Sequence, residues 1–219
     1  MYWEEKTDEK QYIVPDDVVD LSFKIDCPTL PVDHAWPLSQ AIIERLPWFE
    51  SDAHSGLHII HGADSGNGWE RPQGSDDLLH LSRRTRLMLR VPKQRIADAS
   101  TLSGIELTIA GHTMIIGEAK SRKLAMTSIL YSRYVVCDAN WDEERFMQWA
   151  VSELKKKRIH FKKALSGKTA ELATPDGPLY TRTLMVAEMP IEDAVALQEE
   201  GIGPYRARGC GLFIPQKSF

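Results

Sequence analysis

Hydrophobic and polar residues alternate along much of the chain, and elsewhere the apolar residues recur at helical spacing. In the first half, alternation through Val19, Leu21 and Phe23 predicts a strand, and apolar residues three and four positions apart after Pro37 predict a helix. The predicted elements of this half, in order, are strand 18–25, helix 34–46, strand 56–60, one long strand 78–91, helix 93–99 and strand 105–116 with a turn at 110–111.

The second half of the chain repeats this order. Phe146, Ala150 and Leu154 share one face of a predicted helix that Asn140 or Asp142 would cap. Since the halves show no obvious residue identity, the repeat is one of pattern only. The predicted elements are strand 127–136, a helix ending at 157, strands 159–164 and 179–187, helix 190–200 and a short strand 211–214.

Strand, helix, strand, strand, helix, strand is the order of a ferredoxin-like βαββαβ unit, in which an antiparallel sheet carries two helices on one face. The sequence therefore predicts an α+β fold of two tandem ferredoxin-like units, which accounts for the length of 219 residues. The predicted organisation is an acidic N-terminal tail 1–17, a first unit 18–118, a junction near 117–124, and a second unit 123–219 that contains a glycine-rich loop 201–211.

Composition narrows the class of protein. With 42% hydrophobic and 26% charged residues, the chain reads as globular rather than disordered or fibrous. The chain has no long apolar run and begins with acidic residues, so we expect neither a membrane-spanning helix nor a signal peptide. Cys27, Cys137 and Cys210 are far apart, which argues against a disulfide framework or a structural zinc site and fits a reducing, cytoplasmic location.

The net charge of −4 is unevenly distributed. Residues 1–20 contain seven acids and two lysines, which leaves 25 basic and 24 acidic residues in the rest of the chain. Two stretches, 78–97 and 154–168, contain several basic residues and no acid. Local potential, rather than total charge, attracts a polyanion such as RNA. The alternative for each stretch is an ordinary solvated surface, which we favour for the lysine-rich helix end 155–158.

The glycine-rich loop 201–211 lies between the last predicted helix and the last predicted strand. Glycines permit positive φ and allow a phosphate to approach main-chain amides, while arginines can bind phosphate with two donors. The loop is neither a P-loop nor a dinucleotide-binding turn, because no Lys-Ser/Thr follows it and it precedes a strand. The predicted RNA-binding residues of the loop are Gly201, Gly203, Tyr205, Arg206, Arg208, Gly209 and Gly211, with Tyr205 placed to stack on a base.

The segment LQEEGIGPYRARGCGLFIP resembles the C-terminal glycine-rich signature of Cas6 proteins. The segments LPVDHAWPL and LHLSRRTRLMLRVP are similar to the Cas6 variant of myxococcal-type CRISPR systems. This resemblance implies a fold of the RAMP type, built from two ferredoxin-like units, in agreement with the hydrophobic pattern.

The resemblance also implies an activity. Cas6 enzymes are endoribonucleases that use no metal or other cofactor and cut CRISPR precursor RNA within each repeat, usually at the base of a stem-loop. The 2′-hydroxyl of the RNA attacks the adjacent phosphate, leaving a 2′,3′-cyclic phosphate and a 5′-hydroxyl. Members of the family often retain the cut RNA and remain with other subunits in an interference complex.

This reaction needs a base, an acid and cations near the phosphate, and histidine suits the first two roles because its pKa is near neutrality. His34 is the first candidate, because it begins the first predicted helix, where Cas6 enzymes commonly place a catalytic histidine. A helix N-terminus favours neutral imidazole and attracts phosphate, and Asp33 is placed to orient the ring. The alternative is that His34 packs against Leu38 while Asp33 only caps the helix.

Weaker candidates lie further along the chain. His58 and His61 follow in or after the strand 56–60, and a structural role is the alternative for each. Arg84 is a candidate to clamp the scissile phosphate, with Arg83 and Arg86 as RNA-binding neighbours. Arg84 and Arg86 would share a strand face, and Arg83 would point the other way, unless a turn intervenes.

Two other functions remain open at this point. The same fold, loop and arginines would serve a non-catalytic RNA-binding subunit of an RNA-guided complex equally well. A ferredoxin-like protein–protein adaptor unrelated to RNA is a third possibility. The sequence does not place a catalytic partner for His34.

Overall fold

The computed structural model describes residues 12–61, 74 and 77–216, so the predicted acidic tail lies largely outside the described residues. The first half begins with strand β1 and a short β2, followed by two helices and three short or medium strands. The elements are β1 (Val18–Asp26), β2 (Thr29–Pro31), α1 (Ala35–Arg45), α2 (Trp48–Ser51), β3 (Gly56–His58), β4 (Leu78–His80), β5 (Arg86–Pro92), α3 (Ile96–Ser100), β6 (Glu106–Ile109) and β7 (His112–Lys123).

The first sheet is antiparallel, with strand order β3-β5-β1-β7-β6. Without the hairpin strand β6, this is the 2-3-1-4 order of a ferredoxin-like unit. Helix α1 packs the fully buried Leu38 and Ile42 into a cluster with Phe23 and Leu87 from the sheet. Burial of such side chains contributes roughly 1.5–3 kcal/mol each, so this core determines the position of α1 and of His34 before it.

The second half forms a sheet of its own, with strand order β11-β8-β10-β9 and antiparallel pairing. Its helix α4 buries Phe146, Ala150 and Leu154 on one face, as predicted, and the Asp142 carboxylate caps it by accepting the Arg145 amide. The two tandem ferredoxin-like units are thereby confirmed. The elements are β8 (Ile129–Val136), α4 (Glu143–Lys156), β9 (Lys163–Leu172), β10 (Leu179–Ala187), α5 (Ile191–Glu200) and β11 (Ile214–Pro215).

The prediction of one strand over residues 78–91 is wrong. A turn at residues 82–85, closed by the Thr85 amide on the Ser82 carbonyl, separates β4 from β5. The two pieces then pair with different partners, β4 with β2 and β5 with β1. Alternation of apolar residues continues on both sides of the turn, so the hydrophobic pattern alone does not show the break.

Two other boundaries differ from the expected ones. The segment expected to join the units is strand, because β7 continues to Lys123 and pairs its last residues with β1. The strand expected at 159–164 instead begins at Lys163 and runs to Leu172. The longest helix in the described part of the chain, α4, has 14 residues and a charged face, which is too short and too polar to cross a bilayer.

A buried arginine joins the two units. The Arg90 side chain is completely inaccessible and donates to both carboxylate oxygens of Asp20, at 2.9 and 3.0 Å. It also donates to the carbonyl oxygens of Gln198 at the end of α5 (2.7 Å) and of Phe213 before β11 (3.0 Å). His58 Nε2 lies 3.1 Å from Asp20 Oδ1. Arg90 therefore does not contribute to a surface potential, contrary to its expected place in the basic stretch 78–97.

Opposing effects act on Asp20 in this cluster. Burial alone would raise the pKa of the Asp20 carboxyl, but the Arg90 charge and the His58 contact hold that pKa well below its ordinary value. A depressed carboxyl pKa adds stability that is complete above the unfolded pKa of about 3.9. This stability is lost as the pH falls from there toward the lower pKa of the folded protein. The Asp20–Arg90 pair should therefore stabilise the junction of the units at neutral pH and weaken in acid.

We predict that Asp20→Asn lowers the free energy of unfolding by about 3 kcal/mol at pH 7, because it leaves the buried Arg90 charge without its counter-charge. Denaturant titration measures the loss. The difference from wild type should shrink as the pH falls below about 4, because Asp20 then takes up a proton in the unfolded chain while its depressed pKa keeps it ionised in the folded protein. Asp16→Asn, which removes an exposed partner of Lys93, is the matched control and should change little. Equal stability of Asp20→Asn and wild type at pH 7 would contradict the assigned role.

Candidate functional site

His34 occupies the N-cap position of α1, where its backbone carbonyl accepts the Leu38 amide at 2.9 Å. The imidazole is fully buried, and its Nδ1 lies 2.8 Å from the Pro31 carbonyl oxygen. A carbonyl oxygen only accepts hydrogen bonds, so this contact places the proton on Nδ1. When the ring is neutral, Nε2 is then the nitrogen without a proton, which is what a general base needs.

The start of α1 lies against the second unit. Asp33 Oδ2 accepts the Ala173 amide at 2.8 Å, and Ala35 packs in a small buried cluster with Leu172 and Cys210. Asp33 was expected to orient the imidazole or cap the helix. Its hydrogen bond instead connects the units, and no side-chain cap of α1 is present among the described residues. His34 therefore sits where the first unit meets the second.

A second histidine reaches the same junction. The rings of His61, in the first unit, and Tyr134, on β8 of the second, stack with centroids 5.7 Å apart and planes 24° apart. Tyr134 and Ile59 both pack against the buried cluster that contains Ala35. His61 is therefore linked through Tyr134 to the cluster at the start of α1. The other weaker candidate, His58, is not, because it binds Asp20 in the buried Arg90 cluster.

The glycine-rich loop is closed by its own hydrogen bonds. Gly209 donates to the Arg206 carbonyl, Gly211 donates to the Tyr134 carbonyl at 2.7 Å, and Gly201 donates to the end of α5. These amides are therefore not available to a phosphate, contrary to the prediction. The glycines serve close packing, since a Cβ on Gly211 would lie 2.0 Å from the Ile202 carbonyl oxygen and one on Gly209 2.3 Å from the Ile59 side chain.

Arg206 connects the loop to the first unit. Its guanidinium donates to the carbonyl oxygens of His54 (3.2 Å), Ser55 (3.3 Å) and Glu199 (2.7 Å). Burial and the nearby Arg90 charge lower the pKa of Arg206 to about 10, which still leaves it charged at neutral pH. Its Nε and Nη2 donors are committed to backbone carbonyls and its Nη1 is buried, so the structure gives Arg206 a structural role in place of the predicted phosphate contact.

The most exposed residues of the loop are Pro204 and Tyr205 at its tip, and Arg208 beside them is partly exposed. Tyr205 is 43% exposed and adopts a left-handed backbone conformation with φ 66°. The Arg208 guanidinium lies 4.1 Å from the ring centroid of Trp36 and 5.1 Å from that of Tyr205, and it also pairs with Glu50 at 3.0 Å. Because Trp36 belongs to the first turn of α1, this aromatic and cationic tip lies close to His34.

The arginines of the β4–β5 turn are arranged differently from the prediction. Arg83 and Arg84 are exposed in the turn itself, so Arg84 and Arg86 do not form a row along one strand. Arg86 Nη1 donates to the carbonyl oxygens of Arg83 (2.9 Å) and Thr85 (2.7 Å), which stabilises the turn. Arg83 and Arg84 remain open to a polyanion, whereas Arg86 is partly committed to the backbone.

Arg84 and His34 lie beyond opposite ends of a short ribbon. In the β2–β4 ribbon, Pro31 pairs with Leu78 and Thr29 pairs with His80. His34 follows the Pro31 end of the ribbon, and Arg84 follows the opposite end. The role of Arg84 in clamping a phosphate at His34 therefore stays a prediction.

The chain is similar to known proteins. A family model described as Cas6 Crispr matches residues 19–218. The CRISPR-associated endonuclease Cas6 of Myxococcus xanthus (strain DK1622) is 26% identical over 197 residues, which cover 90% of this chain and 81% of the relative.

Solved structures show the same fold. One is described as a CRISPR associated protein Cas6, with a TM-score of 0.66 and 11% identity over 91% of this chain and 100% of that one. Another is a RAMP protein described as binding different RNA substrates, with a TM-score of 0.63 and 17% identity over 90% and 98% of the two chains. Since the family model spans nearly the whole sequence, the chain belongs to the Cas6 family of CRISPR-associated proteins.

Proposed function

We propose that this protein is the endoribonuclease that cuts CRISPR precursor RNA within its repeats, with His34 as the main catalytic group. As a member of the Cas6 family, it is a nuclease that processes CRISPR RNA. The observation that supports cleavage by His34 is the position of this residue. It lies at the start of α1, against the second unit and next to the exposed tip of the glycine-rich loop.

The chemistry follows from this position. His34 Nε2 takes the proton of a ribose 2′-hydroxyl, and the oxygen attacks the adjacent phosphorus. The bond from phosphorus to the 5′-oxygen breaks, and that oxygen takes a proton from an acid, for which His61 is the second candidate. The products are a 2′,3′-cyclic phosphate and a 5′-hydroxyl. The positive end of α1, with no acidic residue in its first turn, favours both a bound phosphate and a neutral imidazole.

The burial of His34 adds a requirement. An RNA strand reaches the imidazole only if the contact between the units opens locally at the start of α1. The contacts between the units there include the Asp33–Ala173 hydrogen bond, the packing of Ala35 on Leu172 and Cys210, and the His61–Tyr134 stack. None of these is an ion pair between buried charges.

Exposed groups around this junction suit the RNA backbone and bases. Tyr205 and Trp36 offer ring faces, Arg208 offers a cation beside them, and Arg83 and Arg84 form an exposed basic turn. We place a single-stranded segment near the cut at the loop tip, and a phosphate backbone along the β4–β5 turn. Retention of the product and association with other subunits of an interference complex belong to the same proposal.

A second candidate function is a non-catalytic RNA-binding subunit. The full burial of His34 favours it, because a buried imidazole cannot act on RNA without a conformational change. Tight binding of the cognate repeat RNA without any cleavage would establish the non-catalytic function.

We predict that His34→Ala slows single-turnover cleavage of the cognate repeat RNA by roughly 10²–10⁴-fold, because it removes the general base. Binding of the RNA should stay within a few-fold of wild type. His160→Ala is the matched control, since this imidazole is exposed and pairs with Asp193 far from the junction, and it should cleave at the wild-type rate. Wild-type cleavage by His34→Ala would refute the assignment.

The proposed attack by the 2′-hydroxyl makes a separate prediction about the substrate. A repeat RNA with a single 2′-deoxynucleotide at the cut should bind normally and remain intact, because the nucleophile is missing. The unmodified RNA should be cut at the same rate in excess EDTA, and end-group analysis should find a cyclic phosphate. A 3′-hydroxyl product or loss of cleavage in EDTA would contradict the proposed chemistry.

We predict that substitutions of Arg208 and Arg206 have different effects, one on RNA binding and the other on stability. Arg208→Gln should weaken repeat-RNA binding several-fold and lower the slope of log K against log salt by about 1, because one cationic contact is lost. Its melting temperature should stay close to wild type. Arg206→Gln should instead lower the free energy of unfolding by about 2 kcal/mol, because three carbonyls, two of them partly buried, lose their donor. Equal effects of both variants on stability would count against this division of roles.

A further inference from the structure

A second cleft, of about 520 Å³, opens in the C-terminal unit. It lies on the sheet face that α4 covers, because Arg182 is the register partner of Val135, and Val135 packs in the core with Phe146 of α4. Tyr134 lies on the opposite face, against the first unit. The cleft is therefore distinct from the junction that holds His34. Its main lining residues are Cys137, Asp138, Trp141, Glu171, Tyr180 and Arg182.

Arg182 is the most unusual group in this cleft. Its Cζ lies 5.8 Å from the ring centroid of Phe146, and its Nε is enclosed without an acceptor. In the part of the chain that the structure describes, the Arg182 side chain makes no hydrogen bond or ion pair, although Asp138 and Glu171 line the same cleft. A guanidinium with an enclosed donor is normally paired, because an unmet buried donor is costly. The rest of this partly exposed guanidinium thus offers the cleft donors that the protein leaves without an acceptor.

The walls of the cleft suit a flat ring. Trp141 and Tyr180 both line it, and the Trp141 ring packs on Trp149, with centroids 5.6 Å apart, and beside the Arg145 guanidinium, 5.5 Å from the ring centroid. The volume falls within the range of roughly 300–1,000 Å³ typical of small-molecule sites. Aromatic side chains of this kind stack on unpaired nucleobases.

The charges of the cleft select among ligands. Two carboxylates, Asp138 and Glu171, disfavour a phosphate but accept hydrogen bonds from ring N–H and amino groups. The Arg182 guanidinium donates to ring acceptors, and its usual partner among the bases is guanine, through O6 and N7. Guanine also carries the N1–H and N2 amino donors that a carboxylate requires. Uracil has no amino donor, and adenine has no O6.

We propose that this cleft binds one unpaired guanine base, held between Trp141 and Tyr180 and recognised by Arg182 with Asp138 or Glu171. Recognition of guanine by this cleft does not depend on the proposed function. The idea that the guanine belongs to the bound RNA, rather than to a free mononucleotide, rests on the proposed function. As part of the RNA, this base would lie on the far side of the C-terminal sheet from the cut.

The test uses the full-length protein in two arms. In the first, calorimetric titration compares 5′-GMP with 5′-AMP, 5′-CMP and 5′-UMP. In the second, fluorescence anisotropy compares the pentamers UUGUU and UUAUU. Variant Arg182→Gln removes the charge of the guanidinium, and Arg133→Gln is the matched control, because Arg133 is an exposed arginine beside Tyr131 on β8. Thermal melting of each variant verifies folding.

Wild type should prefer guanine over adenine by about tenfold in at least one arm, within the discrimination of a good arginine–guanine pair. Arg182→Gln should reduce that preference to within about twofold, and Arg133→Gln should retain it. A preference in the first arm identifies a site that takes the free nucleotide, and a preference in the pentamer arm alone identifies a site for RNA. Equal binding of all bases, no binding in either arm, or an unchanged preference in Arg182→Gln would overturn the proposal.

Unfolding of Arg182→Gln would not end the test, because Trp141→Leu removes one wall of the cleft without touching the guanidinium. This variant should weaken binding of guanine in the same arm by about fivefold or more. Cleavage of repeat RNA is measured on the same preparations. Guanine preference in a protein that cuts no repeat would support guanine binding in the cleft and refute the proposed function. Cleavage without guanine preference would support the proposed function and refute guanine binding in the cleft.

Discussion

The joining of the two units depends on satisfying buried guanidinium groups. Arg90 of the first unit has no access to water, so its charge is tolerable only while Asp20 and the carbonyls of Gln198 and Phe213 surround it. Those carbonyls belong to the end of α5 and to the segment between the glycine-rich loop and β11. The second unit must therefore deliver both backbone segments to a fixed place on the first sheet.

Arg206 makes the reverse connection. It belongs to the loop of the second unit and donates to the carbonyls of His54 and Ser55 in the first. Together the two arginines hold the loop at both of its ends, and the positive φ of Gly209 and Gly211 allows the backbone to pass close to Ile59 and Ile202. The glycine-rich loop is thus a rigid connection between the units, and only its tip remains free to meet RNA.

Hydrophobic periodicity was sufficient to predict both ferredoxin-like units, because the apolar faces of β1, α1 and α4 obey the periods of strand and helix without interruption. The same periodicity could not show that Arg90 is buried whereas Arg84 is exposed. Both lie in one basic, alternating stretch, and the turn at residues 82–85, which exposes one while the other stays in the sheet, leaves the alternation intact. The contact of His61 with Tyr134 was equally hidden, since it joins residues from different units and depends on how the sheets face each other.

The distribution of these contacts bears on how RNA would reach His34. The buried charges lie at the Arg90 end of the junction, where separation would expose Asp20 and leave several carbonyls without donors. At the start of α1 the units share the Asp33–Ala173 hydrogen bond, the packing of Ala35 on Leu172 and Cys210, the His61–Tyr134 stack and the Arg208–Trp36 contact. Parting these contacts would leave no fully buried charge without a partner, whereas parting the Arg90 end would. The distribution of charge therefore favours access of RNA to His34 through the start of α1 over access through the Arg90 end.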